Sequence, residues 1–235
     1  MKRMILLLLL GSIYCQADEA AVVHHPAPKE PIYVSAAWYE TLKKSLPPLP
    51  MEESPAQKND EKTLRELQAG RTEADCQAAR TEMMVTLGNF YGQPQGPLTP
   101  AQVEKLAPFF EQVRNDADFF IQKLKKEFPR KRPFLYMTDI QPCVAREVTG
   151  AYPSGHAMLS QLFALILVDL KLGDATRLGE RAREIGKHRV VSGMHHPTDI
   201  EAGRELARLL LEQLKKSKTY VRDFKAARLS IARLQ

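Results

Sequence analysis

Residues 154–171 constrain this 235-residue chain more than any other segment. Met158, Leu159, Leu162, Phe163, Leu165, Ile166 and Val168 fall on nearly every side of a helix drawn through them. A helix that is apolar all round has to be covered all round, by lipid or by other helices. The run is shorter than the roughly 18 apolar residues a bilayer requires, and it contains Asp169, so a buried central helix fits better than a membrane span.

The chain supplies the cover. Helix formers occupy 61–69 and 72–88, and a loop is expected from Gly88 to Gly96. Thr99-Pro100-Ala101-Gln102 is a capping signature with proline at the first helical position. Beyond it, Val103, Leu106, Phe110, Val113, Ala117, Phe120, Leu124 and Phe128 recur at helical spacing until Pro129. A polar loop runs to Tyr152, and two further helices are expected over 174–191 and 197–216. Period-2 alternation is absent, which excludes a sheet-based fold. The expectation is an all-α fold: a single helical-bundle domain over 61–214 around the buried central helix.

The two ends read differently. Lys2 and Arg3 precede a short apolar run, Met4 to Leu10, and Cys15-Gln16-Ala17 is a fitting cleavage site. Residues 1–17 are therefore expected to be a signal peptide cut after Ala17, which implies a periplasmic or secreted protein. Cutting it removes two cations and takes the net charge from +6 to +4. Residues 18–60 hold Pro26, Pro28, Pro31, Pro47, Pro48, Pro50 and Pro55, and read as an extended, proline-rich arm that either wraps the domain, with Trp38 and Tyr39 as anchors, or stays mobile. Residues 215–235 form a basic tail with Lys216, Lys218, Arg222, Lys225, Arg228 and Arg233, either a solvated terminal helix or a contact for polyanions or membrane surfaces. Cys76 and Cys143 remain in the mature chain, and an oxidising compartment makes a disulfide between them plausible, against two separate buried thiols. No CxxC pair or Cys/His cluster suggests structural zinc.

Three segments carry chemistry. Lys125 to Pro133 is a basic helix end. Pro153-Ser154-Gly155-His156 opens the central helix, where unpaired N–H groups and the helix dipole attract phosphate. Gly155 lets an anion approach the backbone, Ser154 adds a hydroxyl donor, and His156 is suited to proton transfer. In the third segment, Arg189 offers a bidentate fork for a phosphoryl group. Four residues separate His195 from Asp199, close enough for a carboxylate to orient an imidazole nucleophile.

In order and spacing these segments resemble the three-part signature of the type 2 phosphatidic acid phosphatase superfamily. Lys125 with Arg132-Pro133, then Pro153 to His156, then Arg189, His195 and Asp199 match it. The short N-terminal apolar run and the lack of membrane spans look like the bacterial class A nonspecific acid phosphatases. The resemblance implies a metal-independent phosphomonoesterase without a cofactor. His195 would attack phosphorus, Asp199 would orient it, and His156 would protonate the leaving oxygen and then activate water. Lys125, Arg132, Ser154, Gly155 and Arg189 would bind the phosphoryl oxygens. His188 stands where the signature has serine; an imidazole N–H can also donate to phosphate, but it is larger and titrates near neutrality. His196, three residues from Asp199, competes with His195 for that carboxylate. Asp139, Glu147 and Tyr152 lie in the loop before the second segment and are candidates for the substrate pocket.

The expected partner is a small phosphomonoester, with no nucleic acid required. Homodimerisation is compatible with the family, and no sequence feature demands it. Two other readings remain: a lipid phosphate phosphatase working at a membrane surface with its basic tail, and a non-catalytic anion-binding protein in which His188 marks a decayed site.

Overall fold

The computed structural model describes residues 22–23 and 27–232. The expected signal peptide, residues 1–17, lies outside the described residues, as do His24, His25, Pro26 and Arg233. Among the described residues nine α-helices follow in chain order: α1 (Tyr39–Ser45), α2 (Pro55–Ala69), α3 (Glu73–Thr81), α4 (Leu87–Tyr91), α5 (Pro100–Glu127), α6 (Gly155–Asp169), α7 (Ala175–Val191), α8 (Pro197–Leu214) and α9 (Lys218–Ala232). The strand content among the described residues is one parallel pair, β1 (Val22–Val23) with β2 (Arg146–Glu147). The fold is all-α. No helix among the described residues is long and apolar enough to cross a membrane.

The all-round apolar segment becomes α6, packed chiefly against α7 and α8 and also against α5. Met158, Leu162, Phe163, Ile166 and Leu167 are fully buried in the main core, where Phe163 meets Phe110 edge-on at 4.8 Å. The α5 start forms the capping box expected from its sequence, Gln102 N donating to Thr99 Oγ1 at 3.3 Å and Thr99 N to Gln102 Oε1 at 2.9 Å. Close approach of α8 to α6 depends on Gly203, where a Cβ would stand 2.4 Å from the Ser154 carbonyl oxygen. That atom belongs to the backbone and has nowhere to go. Gly203→Ala is therefore expected to cost about 1–3 kcal/mol of stability by overpacking. The same displacement should lower kcat, because it moves Ser154 and His156; urea unfolding and steady-state kinetics on one preparation check both.

The helix expected over 72–88 is two helices. Thr86 and Asn89 form a second capping box, Thr86 N donating to Asn89 Oδ1 at 2.7 Å, which restarts the chain as α4 inside the expected loop. A disulfide joins Cys76 of α3 to Cys143, with Cα atoms 5.7 Å apart.

The arm is not the extended segment its prolines suggest. It contains α1, and α2 begins at Pro55 rather than near residue 61, because Ser54 caps it and proline is favoured at the first helical position. The arm is docked: Tyr33, Val34, Tyr39 and Leu42 are buried, and Trp38 packs edge-on against Phe120 at 5.2 Å. Asp116 of α5 anchors it by accepting the N–H groups of Ile32, Tyr33 and Val34 at 2.6, 2.9 and 2.9 Å. The basic tail likewise folds as α9, docked on α5 through Tyr220, Ala227 and Ile231, with Phe109 and Tyr220 rings 5.6 Å apart.

Candidate active site

The three chemistry-bearing segments converge at one end of α6. The first is the end of α5 and the residues beyond it, carrying Lys125, Arg130 and Arg132. The second is the α6 N-terminus, where Ser154 is the N-cap and its Oγ accepts from Ala157 N at 3.4 Å. The third is the turn between α7 and α8. Gly193 has φ +78° there, a conformation that strains any side-chain-bearing residue, and it lets the chain fold Met194 N and His195 N back onto the Arg189 carbonyl at 3.1 and 3.2 Å. That turn brings the backbones of Arg189 and His195 together. Ser154 N donates to the Asp199 carbonyl at 2.9 Å and ties the second segment to the third.

His195 lies between a carboxylate and a cation. Its Nδ1 stands 3.4 Å from Asp199 Oδ2, and its Nε2 stands 3.1 Å from Arg132 Nη1. A guanidinium only donates, so Nε2 is the acceptor and the imidazole proton sits on Nδ1, facing Asp199. Burial, aided by the Arg132 charge, lowers the His195 imidazole to about 3. It therefore stays neutral, with a lone pair on Nε2, through the acid range. Burial would raise Asp199, but contacts from His195 and His196 and the Arg130 charge hold it well below the usual carboxylate range.

His196 turns away from this line. It donates to Asp199 Oδ2 from its backbone N at 2.8 Å and from Nδ1 at 3.1 Å, and its Nε2 meets Tyr136 Oη at 2.9 Å. Both histidines thus share Asp199, and His195 is the one beside Arg132.

His156, at the second position of α6, has Nε2 3.1 Å from the Met83 carbonyl. The carbonyl accepts, so Nε2 carries the proton and Nδ1 is the nitrogen that can take up another. Burial first, and then the Arg189 charge, push His156 well below the ordinary histidine value. A Cβ on Gly155 would meet only Ile121 at 3.6 Å, so packing does not require glycine there; the residue lines the cavity at the α6 N-terminus.

Lys125 donates to the Gly150 carbonyl, and burial followed by Arg132 repulsion lowers its ammonium to about 7. Burial lowers Arg189 only to about 10, so it remains charged at any working pH. Arg132 donates from Nε to the Thr149 carbonyl at 2.9 Å and from Nη1 to the Met194 carbonyl at 3.0 Å. His188 is held elsewhere by Nδ1: Glu82 Oε2 lies 2.7 Å away, and Glu82 also pairs with Arg181 at 2.8 Å. Any phosphate contact from His188 is left to Nε2. Of the loop candidates, Asp139 pairs with Arg65 at the surface at 2.7 Å, Tyr152 Oη donates to the Pro47 carbonyl, and Glu147 lines the site cavity.

Sequence reasoning missed Arg130 and Asp60. Arg130 Nη1 donates to Asp199 Oδ1 at 2.6 Å and to Thr198 Oγ1 at 2.7 Å, while its Nη2 donates to Asp60 Oδ2 at 2.8 Å. Asp60, on α2, also accepts from Thr198 N at 3.1 Å. Only the second arginine in Arg130-Lys131-Arg132 fell on a recognised spacing, and nothing local marks Asp60 as buried. Among the described residues no group of three or more His, Cys, Asp or Glu side chains is arranged to hold a metal ion.

Residues 117–214 match the PAP2 superfamily. The chain is 29% identical over 192 residues to an acid phosphatase of Zymomonas mobilis, covering 78% of this chain and 72% of that one. It is 37% identical over 109 residues to a non-specific acid phosphatase of Salmonella typhi, covering 42% of this chain and 44% of that one. Among solved structures it is similar to a bacterial vanadium-dependent iodoperoxidase, with TM-score 0.57 at 16% identity over 76% of this chain and 53% of that one, which shows a shared fold.

Proposed function

We propose that this chain is a phosphatase of the PAP2 superfamily, which its residues 117–214 match, and that it hydrolyses small phosphomonoesters through a phosphohistidine on His195, without a metal. The carrying observation is His195 itself: buried and neutral, with Nδ1 toward Asp199 and Nε2 among cations. The substrate's negative charge favours the His156 imidazolium, so His156 takes up a proton on Nδ1 as the phosphomonoester binds. Nε2 of His195 then attacks phosphorus as the bond to the leaving oxygen breaks, and His156 gives that oxygen the Nδ1 proton. Water then attacks the phosphohistidine, His156 takes up the water's proton, and the P–N bond breaks to release phosphate and His195. Lys125, Arg132 and Arg189 offset the charge on the equatorial oxygens, the work a metal ion does in other phosphoryl-transfer sites. Ser154 and the Gly155 N–H supply further donors at the helix N-terminus.

The Cys76–Cys143 disulfide supports an oxidising compartment and hence export. A membrane-surface role on lipid phosphates is favoured by one feature, a cleft lined by Lys215, Lys225 and Arg228 together with Val221 and Phe224, in which Asp169 pairs with Lys215 at 2.7 Å. Comparing a soluble phosphomonoester with a lipid phosphate in vesicles separates the two substrate classes.

The reading is tested by a denaturing alkaline quench during turnover of a ³²P-labelled ester, with chelator present. Its expected product is a phosphoprotein stable in alkali and labile in acid. Absence of such a species, or activity that disappears with the chelator, would sink it.

Lys125 gives a pH signature. Its charged form predominates below about 7 and is lost as pH rises through that value. kcat/KM, which reports free enzyme, is therefore expected to fall above pH about 7. A bound phosphoryl group favours the ammonium, so the kcat limb should lie higher. Lys125→Arg keeps the charge and should move the kcat/KM limb upward; pH–rate profiles of both proteins check this.

A further inference from the structure

We propose that Glu147 is a displaceable internal anion that occupies the phosphate-binding arginines in the empty enzyme and covers the nucleophile. The proposal rests on the phosphatase reading of this site. Glu147 Oε2 accepts from Arg132 Nη2, and its Oε1 accepts from Arg189 Nη2 at 3.2 Å. One carboxylate thus bridges the two guanidiniums that would bind a phosphoryl group.

Burial shows which side of the arginines it occupies. A cavity of about 400 Å³ opens at the α6 N-terminus, and Lys125, Gly155, His156 and Glu147 are in its wall. Arg132, Arg189 and His195 are not in that wall, and their exposures are 1%, 0% and 1%, against 7% for Glu147. Glu147 therefore stands between the cavity and the arginines. A phosphate entering the cavity meets the Glu147 carboxylate before it meets the two guanidiniums.

Charge and backbone support explain why such a group is held there and how it leaves. Two buried guanidiniums without a counterion would repel each other and stay desolvated, which is costly. A phosphomonoester dianion brings more charge and three acceptor oxygens, so it satisfies both forks better than one carboxylate does. The Glu147 backbone is held by pairing with Val23 across β1 and β2, and the chain is tied again where Ala151 N donates to the Arg130 carbonyl at 2.9 Å. The side chain, not the loop, is then the moving part, and the adjoining cavity has room for it.

A site blocked by its own anion binds ligand more weakly by the fraction of time it is open. Titration calorimetry of the full chain with inorganic phosphate at pH 6, on wild type and Glu147→Gln, measures that factor. The variant is expected to bind phosphate about tenfold tighter or more. Phosphate should also raise its melting temperature by more than it raises that of wild type, since it restores the missing counterion. Glu147→Asp, which keeps the charge but is one methylene too short to bridge both arginines, should shift affinity in the same direction and serves if Glu147→Gln does not fold. Unchanged or weaker phosphate binding in the folded variants would overturn the proposal, since Glu147 would then be orienting the arginines from behind. Wild type that bound no phosphate and formed no phosphoprotein would overturn the phosphatase reading itself, a distinct result.

Discussion

His195→Ala is expected to lower kcat by about 10⁴- to 10⁶-fold and to abolish the phosphoprotein, the scale seen when a catalytic nucleophile is removed. His156→Ala should behave differently, and the contrast is the informative part. A general acid contributes about 10²–10⁴-fold, and only where the leaving group needs a proton. With an alkyl phosphate the first step should slow by that amount. With 4-nitrophenyl phosphate, whose leaving group departs unprotonated, phosphorylation of His195 should survive while its hydrolysis, which needs His156 as base, slows. The phosphoprotein should then accumulate in His156→Ala, visible after alkaline quench, and its formation should appear as a burst of nitrophenol. The pH range follows from the His195 environment. Burial and Arg132 keep the imidazole neutral down to about pH 3, so its lone pair is lost only below that value. If His195→Ala retained turnover, or His156→Ala showed no dependence on the leaving group, the two histidines would not hold these roles.

Arg130→Ala is expected to cost about 3–5 kcal/mol of stability, the range for removing one partner of a buried ion pair. Asp60 and Asp199 are both fully buried, and Arg130 is the cation between them, 2.8 and 2.6 Å away. Without it two carboxylates are left in the interior with neutral donors alone. The loss should appear as a lower urea midpoint with an unchanged m-value. Activity should fall as well, because Asp199 then has freedom to leave His195 for His196, which already makes the shorter contact at 3.1 Å. Arg130→Lys should be intermediate, since one ammonium cannot fork between two carboxylates. An Arg130→Ala protein as stable as wild type would show that the network contributes position without net stability.

Much of the helical layout was legible because it is local. The apolar ring of α6 and the Thr99 cap of α5 are readable within a few turns of helix, and both stand close to where their residues put them. The arm departs from the extended form for a specific reason. Its prolines predict extended chain, yet Pro55 follows the capping Ser54 and so starts a helix, and the anchoring of Ile32 to Val34 depends on Asp116, more than 80 residues away. The tail's basic residues on α9 are exposed, while its docking rests on the buried Tyr220, Ala227 and Ile231.

The candidate site divides along the same line. By itself the sequence determined which chemical groups this protein can deploy and roughly how they are spaced: an imidazole four residues from a carboxylate, a helix N-terminus with Ser154 and Gly155, and a set of basic residues. Those patterns are short-range, so spacing alone conveys them. Only the tertiary structure decided which charge faces which. Asp60 reaches Thr198 across 138 positions, Glu147 reaches Arg189 across 42, and Glu82 claims the Nδ1 of His188 across 106. A charged residue in a sequence is by default a solvated one, and it becomes a buried partner only when distant helices close over it. The pairing of charges around His195 is therefore a property of how α2, α6, α7 and α8 pack, and packing at that range leaves no local pattern to read.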